Sequence, residues 1–197
     1  MGAEDVTITE GLAAEHVEDA LRILFGAFAK KLHIGFRDAD DFVRLFRDGV
    51  NPAACLSATA SGELLGILGL QSPGGELYDF RPKSLFLRFS PWRAVLILAN
   101  MLVLYSPPRK DALVVDQLAV APSARGRGIG TLLLEAAETR GRAMGMPKMA
   151  LSVISENEGA IRLYERMGYV RTQAIGGTLV RMVARSAEVW HMEKELG

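Results

Sequence analysis

The sequence predicts a single domain of mixed α/β (α+β) class over residues 1–197. Short runs with strand-like alternation are interspersed with longer segments whose apolar residues recur at helical spacing. A glycine-rich turn joins a buried strand to a helix in the second half of the chain. A chain of 197 residues is also long enough to bury one sizeable core.

Apolar spacing predicts the elements of the N-terminal half. Asp40 and Asp41 favour the start of a short second helix, because carboxylates are stabilised near a helix N-terminus. Ser61-Gly62 lies between two apolar runs and predicts a two-residue hairpin turn. In order, the predicted elements are a strand at 6–9, helices at 13–31 and 40–48, and strands at 53–60 and 63–71.

Residues 72–108 are predicted to form an insert between two strands. Its first part, 72–84, is a polar loop that carries proline and glycine, and an apolar helix is expected near 92–105. The uninterrupted apolar run of this helix is shorter than the roughly twenty residues that cross a bilayer. We therefore expect no membrane span.

The C-terminal half is predicted to alternate strands and helices. Gly145 is expected to end the helix that follows the glycine-rich turn, because glycine readily adopts the left-handed conformation found there. In order, the predicted elements are a strand at 113–120, a helix at 128–144, a strand at 148–154, a helix at 157–167, and strands at 169–173 and 187–195.

Composition excludes several classes of function. Lys+Arg and Asp+Glu number 23 each, so no net field attracts nucleic acid or an acidic membrane. Cys55 is the one cysteine, which excludes an internal disulfide and a cysteine-based zinc site. No group of ligand side chains has metal-site spacing, so no metal is expected. The first residues show no secretory signal, and a cytoplasmic location is the expectation.

The turn between the central strand and its helix is the most informative segment. Gly126, Gly128 and Gly130 allow backbone N–H groups to converge without interference from a Cβ. The N-terminus of a helix attracts anions through its free amides and its dipole. Arg125 and Arg127 add positive charge at the same place. The segment therefore predicts a site for a phosphorylated cofactor, with a plain strand-to-helix turn as the structural alternative.

Two common glycine motifs do not fit this turn. A Walker A loop requires Lys-Ser/Thr after its last glycine, and the dinucleotide fingerprint requires a glycine where Thr131 stands. The pattern that fits is Gln/Arg-x-x-Gly-x-Gly/Ala, which is present as Arg125-Gly126-Arg127-Gly128-Ile129-Gly130.

A second motif follows after one predicted strand. The pattern N-x-x-A-x-x-L-Y-x-x-x-G-F/Y is present in full, with Asn157, Ala160, Leu163, Tyr164, Gly168 and Tyr169. The two motifs, in this order and with a strand between them, resemble those of the GNAT N-acetyltransferase superfamily. The resemblance is close over residues 110–172, and the flanking regions match only by the order of their elements.

This resemblance implies the GNAT acyl-CoA N-acyltransferase fold. That fold has a mixed, mostly antiparallel sheet of six or seven strands, four or five helices, and two splayed central parallel strands. It also implies a cofactor site in which the turn binds the pyrophosphate of acetyl-CoA and the preceding strand pairs with the pantetheine arm. Asn157 would contact that arm, and a helix cap is its alternative role. The remaining implied cofactor residues are Leu118, Ala119, Val120, Arg125, Gly126, Arg127, Gly128, Ile129, Gly130 and Thr131.

The implied reaction is transfer of acetyl from acetyl-CoA to a primary amine of a small molecule or peptide, by direct attack in a ternary complex. Tyr164 would protonate the departing thiolate, with a core tyrosine as the alternative. Asp116 shares strand parity with Leu118 and Val120 and would draw the amine proton, with a structural partner of a buried arginine as the alternative. None of the three histidines is marked as a base by the sequence.

The acceptor is not identified by the sequence. The resemblance places it near residues 25–50, the insert and residues 174–187. Acidic residues at 38, 40 and 41 favour a cationic amine, although a helix-start role explains them equally well. The apolar insert suggests a homodimer surface, a cover over the acceptor or a site for an apolar acceptor. Competing functions are transfer of a longer acyl group, transfer to a protein N-terminus and a non-catalytic acyl-CoA sensor.

Overall fold

The computed structural model describes residues 6–32, 36–72, 75–78, 82–104, 108–177 and 188–197. Within them, seven strands form one open mixed sheet. The strands are β1 (Thr7–Glu10), β2 (Cys55–Ala60), β3 (Glu63–Gln71), β4 (Leu113–Val120), β5 (Lys148–Ile154), β6 (Val170–Gly176) and β7 (Glu188–Glu195). Their order is β1-β2-β3-β4-β5-β7-β6. In this sheet β4 and β5 run parallel, and the other neighbours are antiparallel.

Helices cover both faces of the sheet. The described residues contain α1 (Val17–Leu32), α2 (Ala39–Phe46), α3 (Pro82–Arg88), α4 (Pro91–Leu104), α5 (Ile129–Ala143) and α6 (Glu158–Arg166). Apolar side chains of α5 and α6 share one buried cluster with the sheet. Those of α1 and α2 share a second cluster, which also includes Leu85, Ala94 and Ile97 of the insert. The sheet therefore separates two cores.

The predicted class and the seven strands are confirmed, and the bounds of β4 and β5 match the prediction. The helix count is higher than the four or five expected, because α3 begins at Pro82 where a loop was predicted. Proline suits the first position of a helix, where its fixed φ is already helical and its missing N–H is not needed. The predicted regions at 178–187 and His33 lie outside the described residues.

The hairpin between β2 and β3 has the predicted two-residue turn. Both turn residues have positive φ, 51° at Ser61 and 80° at Gly62, and the pair Ala60–Glu63 closes the ladder. Positive φ at both positions is typical of a type I′ turn, whose twist matches that of the adjoining strands.

The insert packs its inner face into the second core and exposes its outer face. The exposed apolar side chains are Phe86, Leu87, Trp92, Val95 and Leu96. No helix within the described residues is long and apolar enough to cross a membrane.

Candidate functional site

Strands β4 and β5 are paired over only part of their length. Three residue pairs join them, from Leu113–Met149 to Val115–Leu151. Beyond this point β4 stays paired with β3 and β5 stays paired with β7, but the two strands no longer pair with each other. Each therefore presents a free backbone edge to the other, and a slot opens between them. The splayed parallel strands expected for the fold are confirmed.

An ion-pair network ties the other end of the same strands. Arg109 donates to Glu193 at 2.5 Å and to Asp111, which precedes β4, at 2.7 Å. Lys148 at the start of β5 lies 2.9 Å from Glu193 of β7 and 3.2 Å from Asp111. The hydrogen bonds from Arg109 and then Lys148 hold the pKa of Asp111 well below its usual range. The strands are thus held together at this end and parted at the other.

The glycine-rich turn lies at the open end of the slot and leads into α5. Gly126 and Gly128 have φ of 75° and 78°, where side chains are strained, and Gly128 immediately precedes the helix. The Thr131 amide donates to the Gly128 carbonyl at 2.9 Å, so it is used inside the turn. The amides of Ile129 and Gly130 lie in the first helical turn, where the helix offers them no acceptor.

Gly130 has a different role from the other two glycines. A Cβ at this position would lie 3.1 Å from Cδ2 of Leu163 on α6, and φ is not positive here. The absence of a side chain therefore allows close packing of α5 against α6. The sequence pattern grouped three glycines that the structure divides into two conformational positions and one packing position.

The two arginines of the turn are in different environments. Nε of Arg125 donates to the carbonyl of Val120 at 3.2 Å. Nε and Nη2 of Arg127 are buried and have no hydrogen-bond partner in the described part of the chain. Buried guanidinium N–H groups without an acceptor are unfavourable unless an anion completes their hydrogen bonds. The turn therefore fits a phosphate-bearing group, and the binding of such a group here stays a prediction.

Asn157 and the end of β4 are the remaining predicted cofactor positions. The Asn157 side chain accepts a hydrogen bond from the Ala160 amide at 3.3 Å, so it caps α6 as the alternative interpretation held. Leu118 and Val120 pack against the α5 cluster, whereas Ala119 is buried on the opposite face. These strand residues border the slot, and their contact with a cofactor arm stays a prediction.

Tyr164 lies on α6 within the core on the α5 face. Its side chain is 7% exposed, and its ring centroid is 5.9 Å from that of Tyr169. Burial raises the pKa of Tyr164 to about 12, so the phenol stays protonated near neutral pH. The residue is a core tyrosine, as the alternative proposed, and its protonated state is also the one that a general acid requires.

Asp116 is the extra residue of a β-bulge. Leu70 of β3 pairs with Val115 and Gly69 pairs with Gln117, so no β3 residue pairs with Asp116. Val115 and Leu118 both contribute to the α5 cluster although they differ in parity. Parity therefore changes at the bulge, and Asp116 does not share the face of Leu118 and Val120. The shared parity of Asp116, Leu118 and Val120 in the sequence does not place them on one face, because the bulge breaks the ladder.

The surroundings of Asp116 make its carboxyl a weaker acid than usual. The Asp116 side chain is solvent-exposed, although many protein atoms lie around its carboxyl. This burial, and then the negative charge of Glu76, raise the pKa of Asp116 to about 6. Nearby, the Tyr78 hydroxyl donates to Oε1 of Gln117 at 2.9 Å. Among the described residues no arginine pairs with Asp116, contrary to the structural alternative.

A serine–histidine pair that the sequence did not reveal lies beside the slot. Ser152 of β5 and His191 of β7 are direct neighbours in the ladder, and Oγ of Ser152 lies 2.9 Å from Nδ1 of His191. The adjacent residues Leu151, Val153 and Met192 belong to the α5 cluster. Because side chains alternate along a strand, the pair therefore projects from the opposite face. The partners are 39 residues apart, and only the β5–β7 register joins them.

The acidic residues at the start of α2 have structural partners. Asp38 caps the helix by accepting from the Asp41 amide at 2.9 Å, and Asp40 lies 2.7 Å from Arg22. Asp41 lies 2.5 Å from Arg93. These contacts favour the helix-start explanation over an acceptor site. In the described ranges, no three His, Cys, Asp or Glu side chains are grouped as metal ligands.

Comparison with known proteins agrees with this geometry. The model of the acetyltransferase (GNAT) family matches residues 17–169, which is more than half of the chain. The chain is similar to an uncharacterized N-acetyltransferase, YdgE, of Bacillus subtilis (strain 168), with 35% identity over 65 residues. That alignment covers 33% of this chain and 41% of the relative's length.

Solved structures share the fold over nearly the whole chain. An N-acetyltransferase from Staphylococcus aureus Mu50 superposes with a TM-score of 0.67 at 16% identity, covering 95% of this chain and 100% of that one. The ribosomal-protein-S18-alanine N-acetyltransferase from Escherichia coli has a TM-score of 0.57 at 16% identity, covering 98% and 94%. At these identities the likeness concerns the fold alone. The family match, which agrees with the parted strands and the glycine-rich turn after β4, shows that the chain belongs to the GNAT acetyltransferase family.

Proposed function

We propose that the protein transfers acetyl from acetyl-CoA to a primary amine of a small molecule or peptide, by direct attack in a ternary complex. The parting of β4 from β5 after Val115 carries this proposal. A pantetheine arm has amide groups that can bond to an unpaired strand edge, in the manner of an added strand. Acetyl-CoA supplies the activated thioester, and the chain's own residues bind it, orient it and move protons.

The slot leads from the anion-binding turn to the acid–base residues. Asp116 and Ser152 are the first residues of β4 and β5 beyond their last shared pair. From Val120 back to Asp116, β4 spans about 13 Å at the rise of an extended strand. A cofactor whose pyrophosphate lies at the turn would therefore place its reacting end near Asp116 and Ser152.

Proton donor and proton acceptor lie on different faces of the sheet. Tyr164 belongs to the α5 cluster, and its high pKa keeps a proton available for the departing sulfur. Asp116 lies near Glu76 and Tyr78, and its pKa of about 6 leaves it mostly ionised at neutral pH and able to accept an amine proton. This separation lets the amine approach from one side while the thiol leaves on the other.

The first test measures binding and turnover separately. Acetyl-CoA affinity is measured by calorimetry, and thiol release is followed against small amines, amino acids and peptides with free N-termini. We expect tight binding and release that depends on one amine class. Binding without release for any amine would contradict acetyl transfer and favour a longer acyl donor or a sensor.

Replacement of Arg127 tests the cofactor site directly. Arg127→Met removes a positive charge with two buried, unsatisfied N–H groups, so we expect at least a tenfold loss of acetyl-CoA affinity with an equal or slightly higher free energy of unfolding. Arg162→Met, which removes an exposed pair with Glu158, is the matched control and should bind normally. Normal affinity in Arg127→Met would contradict this placement of the pyrophosphate.

The exposed face of the insert supports a homodimer. Leu87 is 87% exposed and Trp92 is 67% exposed, and the nearby side chains of Phe86 and Val95 are also exposed. Large exposed apolar patches commonly mark interaction sites. We expect a dimer by sedimentation equilibrium that Leu87→Glu dissociates. A monomeric wild-type protein at micromolar concentration would exclude this role.

A further inference from the structure

Amide formation from a protonated amine requires the nitrogen to lose two protons. A primary alkylamine near neutral pH is an ammonium ion, which cannot attack a thioester until one proton is removed. After the C–N bond forms, the nitrogen carries a second proton that must also leave. The departing thiolate takes up one proton, and the other passes to water. Asp116 would accept one of the two protons from the nitrogen. A second acceptor close to the same nitrogen would take the other.

The Ser152–His191 pair lies at the start of the slot, at the same level of the sheet as Asp116. Ser152 directly follows Leu151, the last residue of β5 that pairs with β4. Asp116 stands at the corresponding position on β4, one step beyond Val115. Val114 and Ala150, two residues earlier on each strand, share a buried cluster separate from the α5 core. By alternation, Ser152 projects on the same face as Ala150.

We propose that Ser152 contacts the acceptor amine and that His191, acting through Ser152, receives the proton that leaves nitrogen after the C–N bond has formed. This inference rests on the proposed acetyl transfer. The amine nitrogen donates its proton to Oγ of Ser152 as that oxygen passes its own proton to Nδ1 of His191. The C–S bond breaks, and the sulfur takes a proton from Tyr164. Tyr164 recovers its proton from solvent once the thiol has left, and Asp116 and His191 each release one proton to solvent, so that one proton is released overall.

The charged groups around His191 are compatible with this role. Glu193, two residues along β7, is held by Arg109 and Lys148. Gln173 of β6 is the cross-strand neighbour of His191 and carries no charge. Arg171 stacks on the ring of Trp190, which packs against the α5 core on the other face. On the other side of the slot, Asp116 is the first residue of β4 beyond the last β4–β5 pair.

The tautomer of His191 gives a test that does not depend on turnover. If Ser152 donates to Nδ1, the neutral imidazole must carry its proton on Nε2. Nitrogen NMR resolves this, because the chain has three histidines and His191→Gln identifies the signal. We expect the Nε2–H tautomer in the wild type and a shifted Nδ1 signal in Ser152→Ala. A proton on Nδ1 of the neutral ring would overturn the proposal, because that ring could not accept from Ser152.

Kinetics test the role with acetyl-CoA and the best amine. Ser152→Ala and His191→Gln should each lower kcat about 100-fold, with little change in cofactor affinity, because acid–base groups act on the chemical step. The double variant should be no slower than either single variant, since the two residues act as one unit. The control His16→Gln, in the short helical turn before α1, should keep the wild-type rate. A threefold effect or less, or losses that multiply in the double variant, would overturn the proposal.

A weakly basic amine separates the two proton acceptors. Such an amine is already neutral at the assay pH and loses only the second proton. The defect of Asp116→Asn should therefore shrink with this substrate, whereas the defects of Ser152→Ala and His191→Gln should persist. Equal recovery of all three variants would contradict the assignment of the first proton to Asp116 and of the second to the Ser152–His191 pair. If the wild type turns over no amine while binding acetyl-CoA, the proposed function itself fails, which is a different outcome from wild-type turnover with unaffected variants.

Discussion

Arg93 of α4 donates to Asp41 of α2 across 2.5 Å, and the two side chains are only 12% and 5% exposed. Arg37 reaches the same carboxylate at 3.3 Å. Burial alone would raise the pKa of Asp41, but the hydrogen bonds from Arg93 and Arg37 offset it and hold the pKa below its usual value. This contact fixes the insert against the N-terminal helices.

We predict that Asp41→Asn lowers the free energy of unfolding by about 3 kcal/mol, because it removes the negative charge that pairs with the mostly buried Arg93 guanidinium. Denaturant unfolding at pH 7 measures this. Asp40→Asn is the matched control, since the Asp40–Arg22 pair is 58% and 48% exposed and should contribute less than about 1 kcal/mol. Because the folded-state pKa of Asp41 is depressed, its contribution is present above the unfolded pKa and is lost as pH falls through the folded value. An equal effect of both variants would contradict the buried pair.

Two tyrosines of the second motif should respond differently to loss of the hydroxyl. Tyr164→Phe should lower kcat at least about 100-fold with unchanged acetyl-CoA affinity, because the proton donor to sulfur is removed. Tyr169→Phe should keep full activity and equal or slightly higher stability, because its hydroxyl is buried without a hydrogen-bond partner among the described residues. Thiol release and calorimetry distinguish the two. Full activity in Tyr164→Phe would remove it from the mechanism.

Alanine variants at Gly128 and Gly62 form a matched pair that tests phosphate binding at the glycine-rich turn. Both have φ near 80°, and a Cβ at either would meet no atom within 4 Å. Gly128→Ala and Gly62→Ala should therefore each reduce stability by about 1 kcal/mol through left-handed strain alone. Only Gly128→Ala should also weaken acetyl-CoA binding, because its added methyl group lies beside the amides of the turn. Equal affinity in the two variants, measured by calorimetry, would show that the phosphate does not approach Gly128.

The pH–rate profile should report the ionisation of Asp116. Its pKa is raised to about 6 by burial and then by Glu76, so kcat/KM should rise with pH through about 6 as the base deprotonates. Glu76→Gln removes a nearby negative charge and should move this limb to lower pH. Because the folded pKa is raised, the stability that this carboxyl contributes is lost as pH rises through 6. Asp116→Asn should thus be more stable than the wild type at pH 8, and a less stable variant would contradict the shift.

Elements with strong local signals were predictable from the sequence. The bounds of β4 and β5 were correct because proline, glycine and charged residues punctuate two clearly apolar runs. The two-residue hairpin turn followed from Ser61-Gly62, because this small-residue pair separates two apolar runs. Helix α3 was missed because proline and glycine nearby favour loops, although proline also begins helices.

The chemistry at the slot was less predictable because it depends on strand register. No local signal marks the bulge at Asp116, which arises from how β3 and β4 align. The Ser152–His191 contact depends in the same way on the pairing of β5 with β7. The roles of the glycines were also inseparable in sequence, since only the approach of Leu163 distinguishes Gly130 from its neighbours.

The bulge on β4 also bears on how the site can change over evolutionary time. Because β3 pairs with the residues on either side of Asp116, removal of this one residue would leave a regular ladder with Val115 and Leu118 still on the face of α5. The carboxylate is thus an addition to the strand that no core side chain depends on. A lineage could therefore gain or lose a carboxylate at this point by inserting or deleting one codon, without repacking the interior.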